Sequence, residues 1–214
     1  DALAQAERIC LRALEQRPDV SGLRAALGYI YYALGRTDEA LRELDASLSL
    51  QPNQATAHYY LGLVCAETDR ASAALRHLGL ALSMNPYDKY ICRDIIGLLT
   101  REELPGCEEE LGEFIEYFDA QRNAIRQPLA AGTIAAAVAL ASLHRGAPED
   151  LARAIGIAEE RITAAHGGDP DMLATLGRIH FRADRRAGAV LALEAAARLP
   201  REMRASRMCF RIEE

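Results

Sequence analysis

Tryptophan is absent from the 214 residues, and aromatic side chains of all kinds make up only 6% of them. A chain with so few rings must fill its interior with smaller groups, and half of its residues are hydrophobic, alanine prominent among them. Alanine is the best helix former and is depleted in strands, so closely packed helices are expected rather than sheets. The five cysteines, Cys10, Cys65, Cys92, Cys107 and Cys209, contain no Cys-x-x-Cys pair. They indicate neither a disulfide framework nor a zinc site, and Cys10, Cys65 and Cys92, on apolar helical positions, read as small hydrophobes. A general nucleic-acid binder would carry a basic excess, whereas the formal charge is −6. The most apolar run, Leu129 to Leu143, is diluted by Ala, Gly, Ser and Thr and is shorter than the roughly 18 residues a membrane span requires, so it is expected to be a buried helix. No basic-then-apolar leader opens the sequence, so it shows no export signal of its own, and reduced thiols fit a cytoplasmic protein.

Catalytic patterns are missing as well. There is no nucleophile elbow, phosphate loop or Gly-rich dinucleotide turn. His58, His77, His144, His166 and His180 make no His-x-x-x-His pair, and His58 and His180 are expected to be packed imidazoles rather than ligands. Glu102, Glu103, Glu108, Glu109, Glu110, Glu113, Glu116 and Asp119 are read as the wet face of two helices, not as an acid/base pair. No enzyme activity, metal or cofactor is expected.

What the sequence does contain is a phased repeat. Leu27, Gly28, Tyr31, Ala40, Leu44, Ser47 and Pro52 are answered about 34 residues later by Leu61, Gly62, Cys65, Ala74, Leu78, Ala81 and Pro86. Within one unit, Leu23, Leu27, Ile30 and Leu34 recur at helical spacing, Gly35-Arg36 interrupts them, and Ala40, Leu41, Leu44 and Leu48 resume the pattern until Pro52. Thr37 or Asp38 is the expected cap of the second helix. Gly28 and Ala40 are small where two antiparallel helices must approach closely, and a glycine inside a helix costs roughly 1 kcal/mol against alanine. Its return at Gly62 indicates that the packing requires it.

This pattern resembles the tetratricopeptide repeat (TPR), whose signature is an aromatic residue, Leu-Gly, Tyr, Ala with a large apolar residue four further on, Ala, then Pro. The resemblance implies an all-α, right-handed superhelical solenoid of antiparallel helix pairs, about 11–12 helices in this chain. One such solenoid is expected over 1–214: the second helix of a truncated repeat at 1–18, repeats at 21–54 and 55–88, a degenerate repeat at 89–126, an irregular helix pair at 128–168, a repeat at 170–203 and a cap or tail at 204–214. Counting back one period from Ala40, Leu44, Ser47 and Pro52 gives Ala6, Cys10, Ala13 and Pro18. The chain thus opens on a half-repeat, either as a segment of a longer protein or as a one-helix cap. In the degenerate repeat Cys92, Ile95 and Leu99 hold core positions while Ile96 stands at the glycine position, and a helix led by Glu108–Glu110 with Leu111, Phe114, Ile115 and Phe118 inward reaches toward Ile125. Leu176-Gly177, His180, Ala189, Leu193 and Ala196 restore the motif. An irregular pair followed by a regular one looks like the repeat segments of large bacterial multidomain proteins, some kinases among them.

In this family the first helix of each pair lines the concave side. The resemblance therefore places Ala25, Tyr29, Tyr32, Thr56, Tyr59, Leu63, Tyr90, Arg93 and Gly97 on the inner wall. Tyr29, Tyr32, Tyr59, Leu63, Tyr90 and Arg93 are the candidate partner-binding residues, since tyrosine offers contact area and a polar tip at low entropic cost. Filling of inter-helix seams is the alternative role for those rings. The Lys and Asn positions with which some family members clamp a C-terminal carboxylate hold Ala25, Tyr29, Leu63 and Gly97 here, so that clamp is not matched. The implied function is a non-catalytic scaffold holding a protein or peptide partner. The alternative is a regulatory or substrate-presenting arm of a larger kinase, glycosyltransferase or sulfotransferase. Charge is acidic from Arg101 to Arg122 and rich in arginine from Arg178 to Arg211, an asymmetry that can steer a partner or a second copy of the chain, or serve solubility.

Overall fold

A computed structural model of the chain describes residues 2–101, 104–122, 128–145, 150 and 152–157, with single positions at 160, 173, 177–178, 180–181, 188 and 192. All regular structure among the described residues is helical: α1 (Ala2–Gln16), α2 (Ser21–Ala33), α3 (Thr37–Leu50), α4 (Ala55–Glu67), α5 (Ala71–Met84), α6 (Lys89–Leu99), α7 (Glu108–Arg122) and α8 (Pro128–Arg145), with helical residues again at 152–157. They divide into two compact units, Asp1–Asp94 and Ile95–Glu214. The expected extension of α7 to Ile125, most of the second helix of the irregular pair, most of the 170–203 repeat and the 204–214 tail lie outside the described residues.

In the first unit, α2 packs on α3 and α4 on α5, each pair joined by the same reversal. At the end of α2 the amide of Arg36 donates to the carbonyl of Tyr31 (2.8 Å) and that of Gly35 to Tyr32 (2.9 Å), the double closure that requires a left-handed residue between helices. Gly35 takes that conformation at φ 72°, and Asp69 takes its place at the end of α4 at φ 54°, where Arg70 donates back to Cys65 (2.9 Å). Asp tolerates the left-handed region better than most side chains do, so the reversal survives without glycine. The sequence-based cap of α3 is corrected: the helix starts at Thr37 itself, its N-cap is Arg36, and no side chain caps it.

Helix approach explains the repeated glycine. A Cβ on Gly28 would stand 2.6 Å from Leu44 Cγ and 3.3 Å from the Ala40 carbonyl, and one on Gly62 would stand 2.6 Å from Leu78 Cγ and 3.2 Å from the Leu78 amide nitrogen. Ala25, Leu27, Tyr31, Ala40, Leu44, Ala57, Leu61 and Val64 form the core around this contact, with Cys10 and Leu14 of α1 packed against it.

A second repeated contact was not anticipated. Arg24 donates through Nε and Nη2 to the carbonyl of Pro18 (3.1 and 2.9 Å) and through Nη1 to Glu43 (3.0 Å). One period later the same three places hold His58, Pro52 and His77: His58 Nε2 lies 3.0 Å from the Pro52 carbonyl and its Nδ1 lies 3.0 Å from His77 Nδ1. A cation–carboxylate bridge in one repeat has become an imidazole pair in the next, and both tie the start of a first helix to the proline turn before it. His58 is buried and hydrogen-bonded, as expected of a packed imidazole.

In the second unit, Leu111, Phe114, Ile115 and Phe118 of α7 and Ile134, Ala137, Val138 and Ala141 of α8 are buried, and α7 packs on α8. Glu108, Glu109, Glu113 and Glu116 are exposed, but Glu110 is only 7% exposed and so does not belong to the wet face assigned to it. It sits one residue before Leu111, on the edge of the buried stripe. Among the described residues no helix is long and apolar enough to cross a membrane.

Candidate functional site

A cleft of about 500 Å³ opens in the first unit between the N-terminal halves of α4 and α6 and the ring of Tyr29 on α2. It is lined by Tyr29, Ala55, Thr56, Tyr59, Tyr60, Leu63, Asn85, Asp88, Tyr90 and Ile91. Helical spacing puts Thr56, Tyr59, Tyr60 and Leu63 on one side of α4, while His58, between them in sequence, points into the core and fixes the helix to Pro52. Tyr29 and Tyr60 stack with centroids 4.7 Å apart, and Tyr60 tilts against Tyr59 at 5.2 Å. Tyr29 is 41% and Tyr90 52% exposed, so their faces meet solvent.

Two tyrosine hydroxyls tie successive repeats together. Tyr32 donates to Glu67 (2.7 Å) and Tyr59 to Asp94 (2.6 Å), each 35 residues on. Burial, reinforced by these bonds, raises both phenol pKa values well above the ordinary phenol range. Burial, with Tyr29 and Asp88 nearby, also raises that of Tyr60. All three are neutral donors at physiological pH. Asp88 caps α6, its Oδ1 accepting the amides of Tyr90 (2.8 Å) and Ile91 (3.4 Å).

Of the residues singled out from sequence, Tyr29, Tyr59, Leu63 and Tyr90 line the cleft together, with Thr56. Tyr32 stands apart from the lining, partly buried against the core and bonded to Glu67. Arg93 is also outside the lining; its Nε binds Asp94 at 2.7 Å and its guanidinium lies 5.4 Å from the centroid of Tyr90. Ala25 is not on the inner wall at all: at 1% exposure it belongs to the core. Its side chain is too small to reach past its neighbours. Gly97 is exposed, and a side chain there would enter open space. Ala55, Tyr60, Asn85, Asp88 and Ile91 were missed. For Asp88 a signal existed, since an Asp just after a proline turn and just before an apolar helix is an N-cap pattern. For Tyr60 none did, because the repeat register reserves that position for no particular contact.

The thiols offer no chemistry in this region. Burial pushes Cys92 up to about 12 and raises Cys10, Cys65 and Cys107, so none is a ready nucleophile. Among the described residues no group of three His, Cys, Asp or Glu side chains could hold a metal.

His77, paired with His58 beneath α4, is sensitive to protons. The Pro52 carbonyl can only accept, so His58 Nε2 carries a proton, His58 Nδ1 is the acceptor, and His77 Nδ1–H donates to it. Charging His77 is opposed first by burial, then by His58, Arg76 and Arg70, which lowers its pKa from 6.5 to about 4. The unfolded chain therefore binds a proton more readily than the folded one, and this contribution to stability is complete above about pH 6.5 and declines as pH falls toward 4. Thermal midpoints measured between these values should drop in the wild type. In His58→Arg/His77→Glu, which copies the Arg24–Glu43 pair, this component of the drop should disappear.

Comparison with known proteins places this geometry. A family model for the TPR repeat matches residues 28–69. No curated protein matches. Among solved structures, the crystal structure of MamA, a TPR-containing protein, aligns over 97% of this chain and 92% of its own, at a TM-score of 0.51 and 17% identity. The structure of Naa15/Naa10 bound to HypK-THB aligns over 97% of this chain and 32% of its own, at a TM-score of 0.48 and 17% identity. Residues 28–69 thus match the tetratricopeptide repeat, a class of interaction module that is generally non-catalytic, and the described residues share the all-helical, TPR-type fold of MamA.

Proposed function

We propose that this chain is a non-catalytic scaffold that seats a peptide or helix of a partner protein in the cleft of Tyr29, Tyr59, Leu63 and Tyr90, with Tyr32 and Arg93 behind and beside it. The observation that carries the reading is the cleft itself: a concave, tyrosine-rich surface with two half-exposed rings, built on helices whose neutral hydroxyls are already fixed by Glu67 and Asp94. Rigid aromatic walls lose little entropy on binding, and an extended or amphipathic segment fits such a wall. A cytoplasmic setting accords with four free thiols among the described cysteines.

Truncating an aromatic at the centre of such a site typically removes 2 kcal/mol or more. Tyr59→Ala is expected to weaken capture of the native partner at least about tenfold while helicity is retained. Arg76→Ala, on α5, which contributes nothing to the lining, should leave capture unchanged. Capture from the source cell, quantified by mass spectrometry with circular dichroism as the folding control, decides it. Equal recovery by a folded Tyr59→Ala variant would move the site off the cleft.

A further inference from the structure

The charge of the cleft narrows what it can hold. Asp88 is the carboxylate in its lining, and while its Oδ1 caps α6, its Oδ2 receives among the described residues only a long 3.4 Å contact from Asn85. That leaves an acceptor oxygen beside the Tyr29–Tyr60 stack, whose electron-rich faces also favour positive charge. The cleft margin already displays this chemistry, with Arg93 lying over Tyr90. Arg93 is neutralised by Asp94, so it does not cancel the negative character that Asp88 gives the lining. Arginine or lysine therefore complements Asp88 and the tyrosine faces of the cleft.

Resting on the proposed partner-binding role, we propose that the cleft selects an extended partner segment carrying an arginine or lysine, its cationic head at Asp88 and its stem along Tyr29 and Tyr60, with flanking apolar residues toward Leu63. The other cationic occupant, a free small cation, lacks the apolar flanks that Leu63 and Ile91 would cover.

The test uses the full chain, amide-shift titration by NMR, and five probes: the capped pentapeptide Gly-Leu-Xaa-Leu-Gly with Xaa as arginine, citrulline, norleucine or glutamate, and ethylguanidinium. Arginine and citrulline match in shape and differ in charge. The arginine peptide should bind at least about fivefold more tightly than the citrulline peptide, and the glutamate peptide most weakly. In Asp88→Asn, which keeps the capping oxygen, the arginine preference should fall below about twofold while the norleucine peptide is unaffected. Equal binding of arginine and citrulline peptides, or an unchanged preference in Asp88→Asn, overturns the proposal, as does ethylguanidinium binding as tightly as the arginine peptide. If the norleucine peptide still shifts Tyr59 and Leu63 in that event, the cleft remains a partner site of another preference. Shifts that fall outside the cleft for every peptide, or no binding by any, overturn both readings.

Discussion

Gly62→Leu is expected to lower the stability of the first unit by about 1 to 3 kcal/mol, as overpacking of a filled core does. The reason is local. Leu78 Cγ and Cδ2 would lie 2.6 and 2.7 Å from the new Cβ, closer than real Cβ contacts come, and the Leu78 backbone nitrogen lies 3.2 Å away. Leu78 has no exposed surface through which to swing aside, so either the rotamer or the α4–α5 separation must give. Gly28→Leu should behave likewise against Leu44. Gly97 supplies the control: it is a helical glycine with open space around it, so Gly97→Ala should stabilise by up to about 1 kcal/mol through helix propensity. Opposite signs at Gly62 and Gly97, read as thermal midpoints by circular dichroism, are the predicted result. A Gly62→Leu midpoint equal to the wild type would mean that α4 and α5 do not approach through this contact.

The largest single loss is expected in the second unit. Asp150 has no solvent exposure and accepts both Nε (2.7 Å) and Nη2 (2.5 Å) of Arg145, the last residue of α8. A forked pair of this kind aligns two charge-assisted bonds, and its oxygen partner has no water to fall back on. Removing Asp150 takes two charge-assisted bonds from an arginine whose side chain is only 24% exposed, so Asp150→Ala should cost about 3 kcal/mol. Replacing both, as Arg145→Met/Asp150→Leu, should cost far less or nothing, because the same space is then filled without a charge to desolvate. Denaturant titration of the two variants separates an ion pair that matters once formed from one that adds net stability. A double variant as unstable as Asp150→Ala would mean that the site needs the charges themselves.

The helices were legible in the sequence wherever one apolar face repeats. Leu27, Gly28, Ala40 and Leu44 return as Leu61, Gly62, Ala74 and Leu78 because the same interlocking has to be made twice, and every one of them is buried. Capping was less legible: α3 carries Thr37 and Asp38 where a cap is looked for, yet the preceding Arg36 ends up in the N-cap place because the double closure after α2 dictates where α3 can begin. Glu110 was misplaced because a charge in a first turn looks solvent-facing in a linear pattern, whereas its position on the edge of the stripe is a matter of α7 packing. At the candidate site, register alone brought Tyr29, Tyr59, Leu63 and Tyr90 together. It failed for Ala25, which the family phase turns inward but whose small side chain is covered by its neighbours. Tyr60 and the Arg24–Glu43 and His58–His77 equivalence depend on contacts between side chains of unlike chemistry. No reading by residue type would align an arginine with a histidine.

The central claim is that a partner occupies the tyrosine cleft, and site-directed photocrosslinking in the source cell tests it most directly. A photoreactive residue in place of Thr56, which is exposed within the lining, is compared with one in place of Arg76, exposed on α5. The account predicts a discrete crosslinked partner from position 56 that is lost with Tyr59→Ala, and none from position 76. A partner crosslinked from position 76 and not from position 56 would contradict it.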